Sequence, residues 1–443
     1  LDLANRDLVD SHLQAVWLAA TEEALDSSIS NLLVLDTLER PLRPEIVTAL
    51  AEPRRTEEAV RRVRGILDFL EEDLTAESAP WYPGRDAHAA AVVDAAPARF
   101  AQAFGRWRDL FLAAEQQRDS ARRTMDDYAA PQREKRAAQS RHAQAIDQIA
   151  LLQRGSSALS SDFYTYRYLA TEGFLPGYNF PRLPLMAYIP ASTDGKARQT
   201  YLQRPRFLAL SEFGPRSLVY HEGRAYRVVR ALLSLGQRDP AAAQAELPTK
   251  SARICRACGA GHFSAEPSLC HACGASLGDA EIVNHVYRIE NVSTLPTERI
   301  TANDEERQRQ GFELQTTFEW AVRDHALDVR LAAGGDADGD LLRLAYGPGA
   351  TITRLNKGLR RRANRTQLGY RIDPVSGTWA KNEDEGDEAP DPAVIPKQWI
   401  VPSVQDRKNA LLVQPFVKGL TPLSAATLQH ALLRGIEASF QLE

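Results

Sequence analysis

The sequence predicts an α+β protein, with a helical N-terminal domain followed by antiparallel β-rich domains and a four-cysteine ribbon set between them. Three observations lead there. Apolar residues recur at helical spacing through the first third of the chain. From Gly155 the texture changes to glycine, proline, tyrosine and β-branched residues in short alternating runs. All four cysteines of the 443 residues fall between positions 255 and 273.

In the helical third, residues 1–154, Leu8, Leu13, Val16 and Trp17 form one stripe, and Pro44 opens a short helix through Leu50. Next, Thr56 is placed as a cap for the stripe Val60, Val63, Leu67 and Leu70. A further helix is expected from about Pro97 to Tyr128, carrying Phe100, Phe104, Trp107, Leu110 and Phe111. Pro131 restarts the chain into QREKRAAQSRHAQAIDQIALLQR, and the last two helices are expected to pair as a projecting antiparallel hairpin. Their apolar content is too thin for a sustained coiled coil.

Residues 155–250 are expected to form a β-rich domain, with a strand in LPLMAYIP (183–190) and a hairpin in SLVYHEGRAYRVVRAL (217–232) turning at Glu222-Gly223. Beyond the ribbon (251–280), residues 281–381 hold EIVNHVYRIENV, FELQTTFEWAV, ALDVRLA, LLRLAYG and ATITRLN. Such runs suit a twisted antiparallel sheet or barrel. An acidic, proline-bearing linker spans 382–396, and a terminal helix places Leu428, Ala431, Leu432 and Ile436 on one face.

A net charge of -4 excludes nonspecific nucleic-acid binding by the molecule as a whole, so any such contact must be local. No apolar run approaches the roughly 20 residues that span a bilayer. Cysteines confined to one short window argue against scattered disulfides and for the cytoplasm. Residue 1 is Leu, and the opening reads as the middle of a helix, which predicts a segment of a longer polypeptide.

The cysteines form two Cys-x-x-Cys-Gly knuckles, Cys255 to Cys258 and Cys270 to Cys273, separated by eleven residues. Structural zinc takes four tetrahedral ligands, often thiolates, and glycine after each second cysteine permits positive φ. Four thiolates leave no open position for substrate, so the expected role is one structural zinc ion. A redox pair, an iron–sulfur site, or His271 in place of one sulfur are the alternatives.

The segment 353–371 carries Arg354, Lys357, Arg360, Arg361, Arg362, Arg365 and Arg371 with no acidic residue, and Asn364 and Tyr370 among them. Clusters of this type bind phosphate backbones; a solvated loop is the simpler reading. A second basic stretch, Arg198, Arg204, Arg206, Arg216, Arg224, Arg227 and Arg230, is diluted by Glu212 and Glu222. Asp336-Ala-Asp338-Gly-Asp340 lacks the glycine and glutamate of a calcium loop, since those positions hold Leu341 and Gly347. His221-Glu222 lacks a second histidine, and neither a Gly-x-Ser-x-Gly elbow nor a phosphate-binding loop occurs. No catalytic constellation emerges.

Several phrases, NRDLVDSHLQAVWLAAT (5–21), EGFLPGYNFPR (172–182), LSEFGPRSLVYHEGRAYRV (210–228), RITANDEERQRQGFELQTTF (299–318), VQDRKNALLV (404–413) and TLQHALLRGIEASFQLE (427–443), point to a family. Together they resemble the region after the motor domains of large bacterial superfamily 2 helicases with a DUF1998-type, zinc-binding C-terminal region. Several of these belong to phage-defence systems such as DISARM and Druantia. The resemblance implies an ATP- and magnesium-dependent motor N-terminal to residue 1, with this chain as its DNA-contacting accessory portion. The last phrase would then begin the DUF1998-like segment. Of the family's functional residues only the four cysteines carry over. A non-catalytic scaffold for a partner subunit is the competing expectation, and a hydrolase with an unrecognised site is the third.

Overall fold

The computed structural model describes all residues except 1–2, 4, 154–163, 178–183, 191–199, 234–246, 264–266, 300–310, 324–325, 337–338, 375, 381–396, 417–418 and 441–443. The acidic run 382–396, Arg198 and Asp338 therefore lie outside the described residues. The chain is α+β. It opens with helices α1 (Arg6–Ala20), α2 (Pro44–Leu50), α3 (Pro53–Phe69), α4 (Arg85–Ala103), α5 (Gly105–Asp126), α6 (Gln132–Gln153) and α7 (Thr165–Thr171). Then come β1 (Leu185–Ile189), β2 (Thr200–Arg204), α8 (Arg206–Glu212), β3 (Leu218–His221), β4 (Arg224–Leu232), β5 (Lys250–Ile254) and β6 (Gly261–His262). The sequence continues through β7 (Glu281–Arg288), β8 (Asn291–Arg299), β9 (Phe312–Glu319), β10 (Val322–Arg323), β11 (Ala326–Leu327) and β12 (Arg330–Asp336). It ends with β13 (Gly339–Leu359), β14 (Tyr370–Ile372), β15 (Gln398–Pro415) and α9 (Pro422–Phe440).

Two compact units form, each from separate stretches of chain. The larger comprises residues 1–252, 282–316 and 354–405; the smaller comprises 253–281, 317–353 and 406–443. The contiguous segments read from sequence thus meet in space as discontinuous units.

In the larger unit the helical stripe is realised as expected: Val63 and Leu67 of α3 are fully buried against Leu13 and Trp17 of α1. Each such side chain contributes about 1.5–3 kcal/mol by leaving water. Thr56 is not the cap, because α3 begins at Pro53 and the Glu52 carboxylate accepts from the Arg55 N–H. Pro97 does not start a helix either. It sits inside α4, where Val93, Ala96 and Phe100 are buried on one face, and the break comes at Phe104-Gly105. Burial of that face outweighs the one backbone hydrogen bond that proline forfeits. Helices α5 and α6 pair as the expected hairpin, with Gln117 Nε2 donating to the Arg141 carbonyl at 3.1 Å.

A five-stranded sheet, in order β2-β1-β8-β4-β3, follows. The hairpin β3–β4 turns at Glu222-Gly223, both at positive φ (46° and 74°), as a two-residue turn requires. The sheet is not wholly antiparallel: β1 runs parallel to β8. A second parallel pair joins Val286–Arg288 of β7 to Val401–Ser403 of β15. Short alternating strands leave direction open, because parallel neighbours are brought together only by long connections. One sheet face (Leu185, Ala187, Ile189, Val228, Val292) lines a core with Phe213, Ile372 and Ile400, while Met186 and Tyr188 join the helical core.

In the smaller unit β12 and β13 form a hairpin that pairs Asp336 with Gly339, and Leu341 and Gly347, which hold the sixth and twelfth positions of the would-be calcium loop, lie in β13. LLRLAYG and ATITRLN, expected as separate strands, both lie within the 21-residue β13. Helix α9 forms, yet none of its residues is buried. Among the described residues no helix is long and apolar enough to cross a membrane.

The α1–α4 contact encloses a charged cluster. Asp10 is 6% exposed, and its carboxylate lies 2.9 Å from His88 Nε2, 3.3 Å from Arg99 and 3.5 Å from Arg6. Burial alone pushes the Asp10 carboxyl up, but the His88 hydrogen bond and the charges of His88, Arg6 and Arg99 outweigh it and hold it below the usual range. A depressed carboxyl stabilises the fold above its unfolded pKa, and that contribution disappears as pH falls through the lower, folded value. Asp10→Ala should therefore cost about 2 kcal/mol at neutral pH, because it leaves the buried His88 Nε2 without its hydrogen-bond partner. In urea titrations the difference between wild type and variant should shrink below about pH 4.

Candidate metal centre and basic loop

Each knuckle is built by its own backbone. Cys255 N–H donates to the Ala260 carbonyl (2.9 Å) and Gly259 N–H to the Cys255 carbonyl (2.9 Å). The second knuckle repeats this, with Cys270 N–H to Ala275 (2.8 Å) and Gly274 N–H to Cys270 (2.9 Å). Gly259 and Gly274 have φ of 77° and 72°, a conformation that side-chain-bearing residues resist. The two stretches even share a sequence, Cys-x-Ala-Cys-Gly-Ala, a short internal repeat that the linear reading overlooked.

Sγ of Cys255 lies 3.7 Å from that of Cys273, and Sγ of Cys258 lies 3.5 Å from that of Cys270. All four sulfurs fall within 4.8 Å of one another, and none is in a disulfide. A tetrahedral ion with metal–sulfur bonds of about 2.3 Å requires sulfurs about 3.8 Å apart. The donor set and spacing fit. His271 does not enter the set: its Nε2 lies 3.1 Å from the Gly261 carbonyl. Cys255 and Cys270 are buried beside Ala260 and Leu277. Thr317 Oγ1 steadies the first knuckle by donating to the Gly259 carbonyl at 2.7 Å.

Burial pushes the Cys258 and Cys270 thiols up. At Cys255 burial acts the same way, but the N–H groups of Cys258 and Ala257 and the adjoining thiols bring it down. Four sulfurs this close cannot all ionise without a cation among them. A metal ion could supply that charge, and four thiolates would close its coordination shell.

The basic segment divides into two kinds of side chain. Lys357 Nζ lies 3.4 Å from Glu313, and Arg362 Nη1 donates to the same carboxylate at 2.6 Å with its side chain only 6% exposed. Arg354 donates to the Phe207 carbonyl (3.2 Å), and Arg371 is half-buried in β14. Tyr370 packs edge-on against Phe312 and Trp379 and hydrogen-bonds Asn356 at 3.0 Å, so it belongs to the core rather than to a base-stacking surface. Arg360, Arg361 and Arg365 are exposed, on a loop pinned below by Gly369 N–H to the Lys357 carbonyl (3.0 Å). Arg360 Nε donates to the Phe312 carbonyl at 3.0 Å, which orients that guanidinium without neutralising it. A Cβ at Gly369 would come 2.1 Å from the Ile400 carbonyl oxygen, so the loop base accepts only glycine.

The second basic stretch is likewise partly structural. Arg204 pairs with Glu212 (2.8 Å), Arg206 donates to the Gln405 carbonyl (2.9 Å), and Arg230 is buried. The sequence reading missed Glu313, whose role shows only once β9 is placed; a single acid in FELQTTF carries no local signal.

No known protein family, curated protein or solved structure matches this chain.

The Arg362 hydrogen bond, foremost, and the nearby Lys357 charge hold the Glu313 carboxyl below its usual range. Glu313 is itself 42% exposed, so solvent screens the pair. Glu313→Ala should cost roughly 1 kcal/mol in chemical denaturation at neutral pH. That loss should fade as pH falls below about 4, where the wild-type carboxylate is protonated too.

Proposed function

We propose that this chain is the DNA-contacting accessory portion of an ATP-dependent helicase or translocase, of the kind used in anti-phage defence. Its motor, with ATP and magnesium, would lie N-terminal to residue 1. The observation that carries the reading is the trio Arg360, Arg361 and Arg365, exposed on a loop whose base is fixed by buried partners. A loop held at its base that presents cations with no paired acid among the described residues is suited to tracking phosphates. The resemblance to post-motor regions of superfamily 2 helicases supports the same reading, as does the absence of a catalytic constellation in the sequence. The working compartment is the cytoplasm.

We assign zinc to the four cysteines as a structural ion, held by Cys255, Cys258, Cys270 and Cys273. Thiolate spacing and a closed donor set support zinc over a catalytic metal. Protein purified without added metal should carry about one zinc per chain by mass spectrometry. Cys258→Ala should lose it, and the knuckles should then become protease-sensitive, because ion binding and local folding are linked. Iron with visible charge-transfer absorption would refute the assignment.

For DNA, replacing Arg360, Arg361 and Arg365 together with Glu should weaken binding by fluorescence anisotropy and lower the salt slope by about 3. The loss should be the same for unrelated DNA sequences, since phosphate contacts carry no base information. Arg362→Met is the control: it should change stability and leave the slope alone. Unaltered binding by the triple variant would favour the second reading, a scaffold for a partner subunit. The observation favouring that reading is α9, which exposes Leu423 (79%), Leu433 (50%) and Phe440 (72%).

A further inference from the structure

Beneath α6, the inner face of the five-stranded sheet carries a polar row. Register sets Tyr188 of β1 beside Ser293 of β8, and Ser293 beside Arg230 of β4. Laterally paired residues share a sheet face. The packing agrees, since Ala187, Val292 and Ala231, their chain neighbours, belong to the core on the opposite face. Tyr188 and Ser293 are 0% exposed and Arg230 is 6% exposed.

Arg141, Gln144 and Gln148 lie at i, i+3 and i+7 on α6, one side of the helix. Arg230 Nη2 donates to Gln144 Oε1 at 3.4 Å, which seats this face over the row. Five buried polar atoms here have no protein hydrogen-bond partner: Nε of Arg230, Nε of Arg141, Nε2 of Gln148, Oγ of Ser293 and Oη of Tyr188. Every one of them carries a proton to donate. Among the described residues no carboxylate pairs with Arg141 or Arg230. Burial, and then the charge of Arg141, lowers Arg230 to about 10, so its guanidinium stays charged at neutral pH. Asp147 acts on the Tyr188 end of the row and is engaged in interactions of its own.

A buried guanidinium with a half-buried one beside it, ringed by spare donors, calls for a negative charge with several acceptor oxygens. We propose that this cluster binds a small tetrahedral oxyanion of the phosphate class, held by Arg230 and Arg141 and capped by Ser293, Gln148 and Tyr188. The site is separate from the cysteine cluster and from the loop of Arg360, Arg361 and Arg365, and does not depend on DNA binding.

The test is calorimetric titration of the full chain with inorganic phosphate in a chloride background, with thermal unfolding at matched ionic strength. Wild type should bind one phosphate per chain, and its unfolding midpoint should rise saturably with phosphate. Arg230→Met should abolish the heat and the midpoint rise. In chloride alone its midpoint should equal or exceed wild type, because a buried unpaired charge has been removed. Ser293→Ala keeps both cations and should bind at least tenfold more weakly, which decides the matter should Arg230→Met not fold. No saturable heat with wild type would overturn the proposal in favour of bridging water. A midpoint rise of equal size in both variants would overturn it as well, being the general effect of an excluded salt.

Discussion

The guanidinium of Arg106 is the point on which the larger unit depends. It projects from the first turn of α5, is 8% exposed, and reaches two other segments at once. Nη1 donates to the Pro184 carbonyl at 2.5 Å, immediately before β1, and Nη2 lies 2.5 Å from the Glu172 carboxylate, immediately after α7. The helical layer and the first sheet strand are thereby fixed to one side chain. Burial pushes the Glu172 carboxyl up, and Arg106, followed by Arg206, opposes that. Such a pair contributes little net stability over an apolar isostere, but loss of one member is expensive, so its effect is to enforce a single arrangement. Around it pack Trp17, Phe100, Phe104, Trp107, Tyr168 and Phe174, with Phe104 and Tyr168 stacked at 10°. Tyr168 also accepts from the Trp107 N–H at 2.9 Å, so an aromatic core closes over the ion pair.

What could be read in the sequence follows from how local each signal is. The stripe of α3, the opening of α2 at Pro44, the turn at Glu222-Gly223 and the knuckles each depend on residues within one or two turns of chain. All four stand in the structure. Pro97 misled because a proline's usual consequence is local, whereas the burial of Val93 and Phe100 that overrides it is tertiary. The parallel pairings of β1 with β8 and β7 with β15 unite residues about a hundred positions apart, and no local pattern encodes that. The clustering of the four cysteines was legible because each Cys-x-x-Cys-Gly turn is built by a few consecutive residues.

The arginine segment shows the limit most clearly. Charge counting treats Arg360 and Arg362 as equivalent, two residues apart in one basic run. The fold separates them: Glu313 on β9 pairs with both Arg362 and Lys357 at the loop base, while Arg360, Arg361 and Arg365 are exposed. Buried cations are strut and anchor; exposed ones can meet a polyanion. Mutating the run as a block would confuse the two roles, since loss of Arg362 acts on stability and loss of Arg361 on contact.

The same distinction governs Arg230. Read linearly it is one more charge in a diluted basic stretch, yet β4 places it under α6, within the electrostatic reach of Arg141 and with no carboxylate paired to it among the described residues. A chain of net charge -4 has 58 acidic residues to offer. Natural interiors rarely keep a guanidinium without one unless a ligand or solvent completes its hydrogen bonds. The arrangement costs stability in the isolated chain, and α6 could relieve it by a single Glu at Gln144 or Gln148, on the face already turned toward the sheet. That it carries amides there, which orient a guanidinium without neutralising it, is the reason to look for the missing charge in a ligand rather than in the fold.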